Sequence, residues 1–157
     1  MAHTLRRAME SDAAMIYELQ REAFLPLLDK YKDYDTNPAY ESADKVAARM
    51  KMPRFEYYMI CYKEVTVGAI GVRWDETGSK YWISPLFVIS AYHGLGIAQQ
   101  TITAVEEMYP TAKTWELATI LEEKRNCYLY EKMGYQATGA TKRLNKFATL
   151  VYYCKQI

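Results

Sequence analysis

Cysteine is scarce in this chain: there are three in 157 residues, at positions 61, 127 and 154. An odd number, widely spaced and without a Cys-x-x-Cys pair, offers no disulfide framework, and two histidines do not complete a metal-ligand set. No metal is expected, and the thiols read as reduced and mostly structural. Charge of one sign is also lacking. The 20 Lys and Arg stand against 19 Asp and Glu, a net charge of +1, so composition favours neither a nucleic-acid nor a membrane-surface partner. Long hydrophobic runs are missing as well. The run Val65 to Val72 is interrupted by glycine and falls far short of the roughly 20 residues that cross a bilayer. The first residues, Met1 to Arg7, lack the apolar stretch and small-residue cleavage site of a secretory signal. A cytoplasmic location is therefore expected. What is present, 50% hydrophobic and 25% charged residues without repeat or linker, suits one globular domain over residues 1–157.

Periodicity sets the order of elements. Ser11 and Asp12 offer caps for a first helix carrying Ile16, Leu19, Ala23, Phe24 and Leu27, predicted to end near Leu27 with Pro26 in its last turn. Lys30 to Tyr40 reads as a polar aromatic loop with an Asx turn at Asn37-Pro38. A short helix follows from the Ser42 cap and is predicted to stop at Pro53. From Phe55 the period changes to two. A hairpin turning at Lys63-Glu64 leads into Val65–Trp74, and Tyr81–Val88 forms the next strand, where Pro85 suggests a bulge or an opened edge. A helix from Ile97 to Met108, a strand from Thr114 to Thr119, a helix from Glu123 to Met133 closed by Gly134, and strands Tyr135–Arg143 and Phe147–Lys155 complete the chain. Trp74 and Trp82 read as sheet packing.

Two segments carry chemistry. Tyr92-His93-Gly94-Leu95-Gly96-Ile97-Ala98 places small residues where a strand passes into a helix, so successive backbone N–H groups can approach an anion such as a pyrophosphate. It is neither a Walker A loop nor a dinucleotide fingerprint, since no Gly-Lys-Ser/Thr follows and Gln99 holds the place of a third glycine. The residues alone fit an anion cradle or a bare tight turn. In the second segment, Asn126 and Tyr130 are four apart and share a helical face that presents a carboxamide and a phenol. Packing explains such a tyrosine equally well.

Together, in this order, the segments resemble the GNAT superfamily of acetyl-CoA-dependent N-acetyltransferases. The loop Gln/Arg-x-x-Gly-x-Gly/Ala is matched by Gly96 and Ala98, and the ending Tyr-Glu-Lys-x-Gly-Phe by Tyr130, Glu131, Lys132, Gly134 and Tyr135. The resemblance covers nearly the whole chain. It implies an α+β fold, a mixed, mostly antiparallel sheet of about seven strands with four helices. It also implies acetyl-CoA as co-substrate, held by Phe87, Val88, His93, Gly94, Leu95, Gly96, Ile97, Ala98 and Asn126. A primary amine of a small molecule or protein would attack the thioester directly, a backbone N–H near Phe87 or Val88 would meet the oxyanion, and Tyr130 would protonate the leaving thiolate. Cys127 lacks a histidine base and is set aside as nucleophile. Glu116 is the first candidate base, followed by Glu122 and Glu123. Tyr31, Tyr34 and Asp35, with Asp33 interleaved among them, are expected to hold a cationic acceptor through charge and ring faces. His93 departs from the family's glutamine or arginine, and Glu123 from a common asparagine. These departures keep a non-catalytic CoA-binding or interaction domain as the alternative. A homodimer, with Val151-Tyr152-Tyr153 as an interface, follows only by analogy.

Overall fold

The computed structural model describes residues 3–157. Met1 and Ala2, part of the N-terminal stretch read above, lie outside the described residues. The chain forms β1 (His3–Arg7), α1 (Ala13–Tyr31), α2 (Ala43–Met50), β2 (Phe55–Tyr62), β3 (Val65–Trp74), β4 (Lys80–Val88), α3 (Ile97–Met108), β5 (Thr114–Ile120), α4 (Lys124–Lys132), β6 (Gln136–Arg143) and β7 (Thr149–Gln156). One seven-stranded sheet holds them in the order β1-β2-β3-β4-β5-β7-β6, and only the β4–β5 pair is parallel. This is the mixed, mostly antiparallel sheet with four helices that the resemblance implies. Six strands were legible from periodicity. The seventh, β1, is five residues of which only His3 is buried, too short and too polar to show alternation. Among the described residues, no helix is long and apolar enough to cross a membrane.

Each face of the sheet buries its own core. On one side α3 and α4 cover Ile60, Val67, Ile70, Val72, Trp115 and their neighbours; on the other α1 and α2 cover Tyr57, Met59, Ala69 and Phe87. α1 runs through Pro26 to Tyr31, past the expected end at Leu27. Burial of Leu28 and Tyr31 outweighs the backbone hydrogen bond that the proline removes. The helix stops at Lys32, whose left-handed φ of 56° lets its N–H reach the Leu28 carbonyl. α2 is capped as expected, Ser42 Oγ accepting from Lys45 N at 3.1 Å, and ends at Met50 rather than Pro53. The expected Asx turn also forms, with Asn37 Oδ1 accepting from Ala39 N at 2.8 Å. Buried Gln20 pins this loop to α1 by donating to the Pro38 carbonyl at 3.0 Å and to Glu41 at 2.8 Å. Trp74 stacks on Tyr81 within an aromatic cluster, and Trp82 lies under the Arg73 guanidinium, so both serve the sheet.

Two features of β4 open the fold. Opposite Gly71, β4 spends one extra residue at Ser84-Pro85, because Ile83 pairs with Val72 and Leu86 with Ile70. The proline thus marks a bulge, as its position in the sequence suggested. β4 and β5, moreover, pair only over Lys80–Trp82 and Thr114–Glu116. Beyond that rung the two strands part. β7, by contrast, is interior, paired on one edge with β5 and on the other with β6. Val151–Tyr153 therefore has no free strand edge to offer a second copy.

Glycine in β3 lets the bulged strand lie close. A Cβ at Gly68 would meet the Phe87 carbonyl, and one at Gly71 would stand 2.5 Å from the Ser84 carbonyl and 2.9 Å from the Phe55 ring. Gly71→Ala should accordingly destabilise the protein by about 1–3 kcal/mol in denaturant titration. Unchanged stability would show that the β4 bulge does not need this close approach.

Candidate active site

Two adjoining cavities of about 550 and 290 Å³ lie where β4 leaves β5, the smaller one between the two strands. Both are lined by Phe24, Leu27, Leu86, Asn126 and Tyr130. Asn126 and Tyr130 project from one face of α4, one turn apart, and so stand where the cavities meet. Burial in this apolar surround pushes the Tyr130 phenol up to about 12, with the nearby Cys127 adding to the effect. Cys127 faces the other way. It is buried, its thiol aimed at the carbonyls of Ile120 and Leu121 at 3.6 and 3.7 Å, and it lines neither cavity.

The glycine loop forms one end of the larger cavity. Gly94 and Gly96 take left-handed φ values of 80° and 76°, and a Cβ on either would meet no other atom within 4 Å. Backbone conformation therefore requires glycine there, and the space in front stays open. α3 starts directly after Gly96 without a side-chain cap, leaving its first N–H groups and positive dipole end for an anion. Gly94, Gly96, Ile97 and Ala98 line the cavity, as do Phe87 and Val88 of β4; Leu95 does not, and is half exposed.

His93 lines the cavity too, but its ring is already engaged. Nε2 donates to the Val88 carbonyl at 2.7 Å, which leaves Nδ1 to accept from the Arg125 guanidinium at 3.3 Å. The two partners together assign the tautomer. Arg125 also lines the cavity, and no carboxylate among the described residues pairs with it. The sequence reading missed this residue, although a signal existed. Lys124 and Arg125 occupy the first turn of α4, where the helix dipole disfavours cations unless an anion offsets them.

The carboxylates are rearranged relative to expectation. Glu116 lies on the last paired rung, opposite Trp82, and is bound to Lys80 at 2.9 Å. It lines neither cavity because the strands diverge only beyond it. Glu122 accepts from Thr149 N at 2.7 Å, and Glu123, at the rim of the larger cavity, pairs with Lys30 at 3.3 Å. The loop after α1 does reach the smaller cavity, through Asp33, Thr36 and Asn37. Its expected residues do not. Tyr31 is buried at the end of α1, exposed Tyr34 packs edge-on against Tyr40, and Asp35 faces solvent. Asp33, which the sequence reading groups with Asp35 and the tyrosines, is the acid that does reach the smaller cavity, and it also closes a turn: Thr36 donates to its carboxylate through both N–H and hydroxyl. Among the described residues, no group of three or more His, Cys, Asp or Glu is placed to hold a metal.

Residues 13–135 match the acetyltransferase (GNAT) family. No curated protein matches the sequence of this chain. Solved structures do. The chain is similar to an acetyltransferase from Salmonella typhimurium that modifies the N-terminal serine of ribosomal protein L7/L12, with 14% identity, 100% of this chain and 96% of that one covered, and a TM-score of 0.79. It is similar to a spermidine N-acetyltransferase chimera from Vibrio cholerae and hSSAT, with 15% identity, coverage of 99% and 96%, and a TM-score of 0.77. It is also similar to the microcin C7 self-immunity acetyltransferase in complex with acetyl-CoA and AMP, at 16% identity, coverage of 99% and 93%, and a TM-score of 0.76. At such identities the likeness is one of fold, whereas the family match spans most of the chain and includes both the glycine loop and the Tyr130 helix. The chain belongs to the GNAT family of acetyltransferases.

Proposed function

We propose that this protein transfers the acetyl group of acetyl-CoA to a primary amine by direct attack, with Tyr130 as general acid. The observation that carries this reading is the buried phenol where a glycine-loop cavity adjoins a second, smaller one. The residues present fit the co-substrate: open space before Gly94 and Gly96, the bare start of α3 and the free face of Arg125 suit phosphates. Phe87 and Val88, on the strand parted from β5, offer backbone groups to an extended amide-bearing arm, and Asn126 offers its carboxamide. Acetyl-CoA supplies an acyl group already activated as a thioester. Tyr130, held protonated by its burial, gives its proton to the departing sulfur. With Glu116 tied to Lys80 outside the cleft, the amine's proton leaves through water rather than through β5. No covalent intermediate on the chain is needed, in keeping with Cys127 facing away.

Tyr130→Phe is expected to lower kcat by roughly 10- to 10³-fold in a thiol-release assay while leaving acetyl-CoA affinity nearly intact. Wild-type turnover at saturating substrate would remove the phenol from the mechanism. Because a raised pKa keeps the acid protonated, kcat should not fall on the alkaline side between pH 7 and about 10. A decline centred near pH 8 would assign the proton to another group. On the cofactor side, Gly96→Val should abolish acetyl-CoA binding, since it fills the open space and strains a left-handed residue. Arg125→Gln should weaken binding about tenfold and flatten its salt dependence. Equal affinity at every ionic strength would mean that Arg125 does not face the phosphates.

A further inference from the structure

The smaller cavity carries information about the acceptor, and this inference rests on the transferase reading above. Its walls come from β4, β5, the loop after α1 and the β6–β7 turn. They are mostly aliphatic, with Leu117, Ile120, Leu144 and Leu150 facing Leu27 and Leu86. Asp33 is the only ionisable group on them apart from the Tyr130 phenol; no lysine, arginine or histidine reaches the lining. Asp33 as a residue is 6% exposed, and no cation among the described residues lies within salt-bridge distance of its carboxylate. Thr36 satisfies part of its acceptor capacity, whereas a carboxylate can accept about four hydrogen bonds. An ammonium arriving in the cavity would supply donors and charge for the rest.

The shape limits what can arrive. Asn145, in the β6–β7 turn, donates through Nδ2 to the Tyr31 carbonyl at 2.8 Å, joining the turn that carries Leu144 to the end of α1 that leads into Asp33. Two opposing walls are thereby tied together. At about 290 Å³ this cavity is roughly half the size of the one beside it.

We infer that the acceptor is a compact primary monoamine with an apolar body, its ammonium received by Asp33 before deprotonation and its alkyl or aryl portion lying against the leucines. A polyamine would bring further cations to a cavity with one anion. A free amino acid would bring a carboxylate to a cavity with no cation. A peptide would bring further backbone polar groups to walls that are mostly aliphatic.

The test is a thiol-release panel with acetyl-CoA and phenethylamine, isoamylamine, spermidine, leucine and a leucine-initiated pentapeptide, with acetyl-CoA binding followed separately by calorimetry. Phenethylamine or isoamylamine is expected to show kcat/KM at least tenfold above the others. Asp33→Asn, which keeps a side-chain oxygen for Thr36, should raise KM for that amine at least tenfold with acetyl-CoA affinity unchanged. Leu144→Trp should raise KM more for phenethylamine than for isoamylamine. Preference for spermidine, leucine or the peptide would overturn the inference and leave the transferase reading standing, as would binding of acetyl-CoA without turnover of either monoamine. Failure to bind acetyl-CoA would overturn both.

Discussion

The structure depends on a strand pairing that stops early. β4 and β5 run parallel and share three rungs, Lys80–Trp82 with Thr114–Glu116, before they separate. A sheet that remained paired would satisfy the backbone of both strands and leave no room for a ligand. Because pairing ends, β4 beyond Trp82 has no β5 partner, Phe87 and Val88 line the larger cavity, and Leu117 to Ile120 line the smaller one. The bulge at Ser84-Pro85 and the glycines of β3 beneath it accommodate the departure of β4. α3 and α4 then bring the glycine loop and Tyr130 to the opening.

Charge in the cleft is arranged by neighbours more than by the residues that first attract notice. His93 stands at the loop position where a cofactor-facing side chain is expected, yet it is committed between the Val88 carbonyl and Arg125. Its contribution is to hold the guanidinium at the edge of the larger cavity, so the cation comes from α4 rather than from the loop. Glu123 is offset by Lys30, and Glu116 by Lys80. The anion left without a partner is Asp33, in the smaller cavity. A neutral, buried phenol sits between a cationic end and an anionic one, a distribution that suits a phosphate-bearing donor on one side and an ammonium on the other.

Much of this was legible in the sequence because it is local. Periodicity gave α3, α4 and the central strands, Ser42 marked a helix start that the structure shows, and Pro85 marked a bulge. The glycine loop and the Asn126–Tyr130 face were readable because their geometry is fixed by spacing along one element. What failed depends on partners distant in the chain. The strand β1 is held by pairing with β2 rather than by any pattern of its own. Glu116 was a candidate base through the resemblance, but its distance from the cleft follows from where the β4–β5 ladder ends, which no single strand encodes. Tyr31 was assigned to the loop because Pro26 suggested an early helix stop, and tertiary burial carried the helix onward. Arg125 was concealed by a plausible local role, a solvated helix start.

The central claim is that the glycine-loop cavity holds acetyl-CoA through phosphates and an extended arm. Calorimetry of the wild-type protein at low ionic strength, with acetyl-CoA, CoA and ATP in parallel, tests it most directly. The account predicts micromolar binding of acetyl-CoA and CoA, with ATP far weaker because it lacks the arm that β4 would pair. Absence of CoA binding, or equal affinity for ATP, would contradict it.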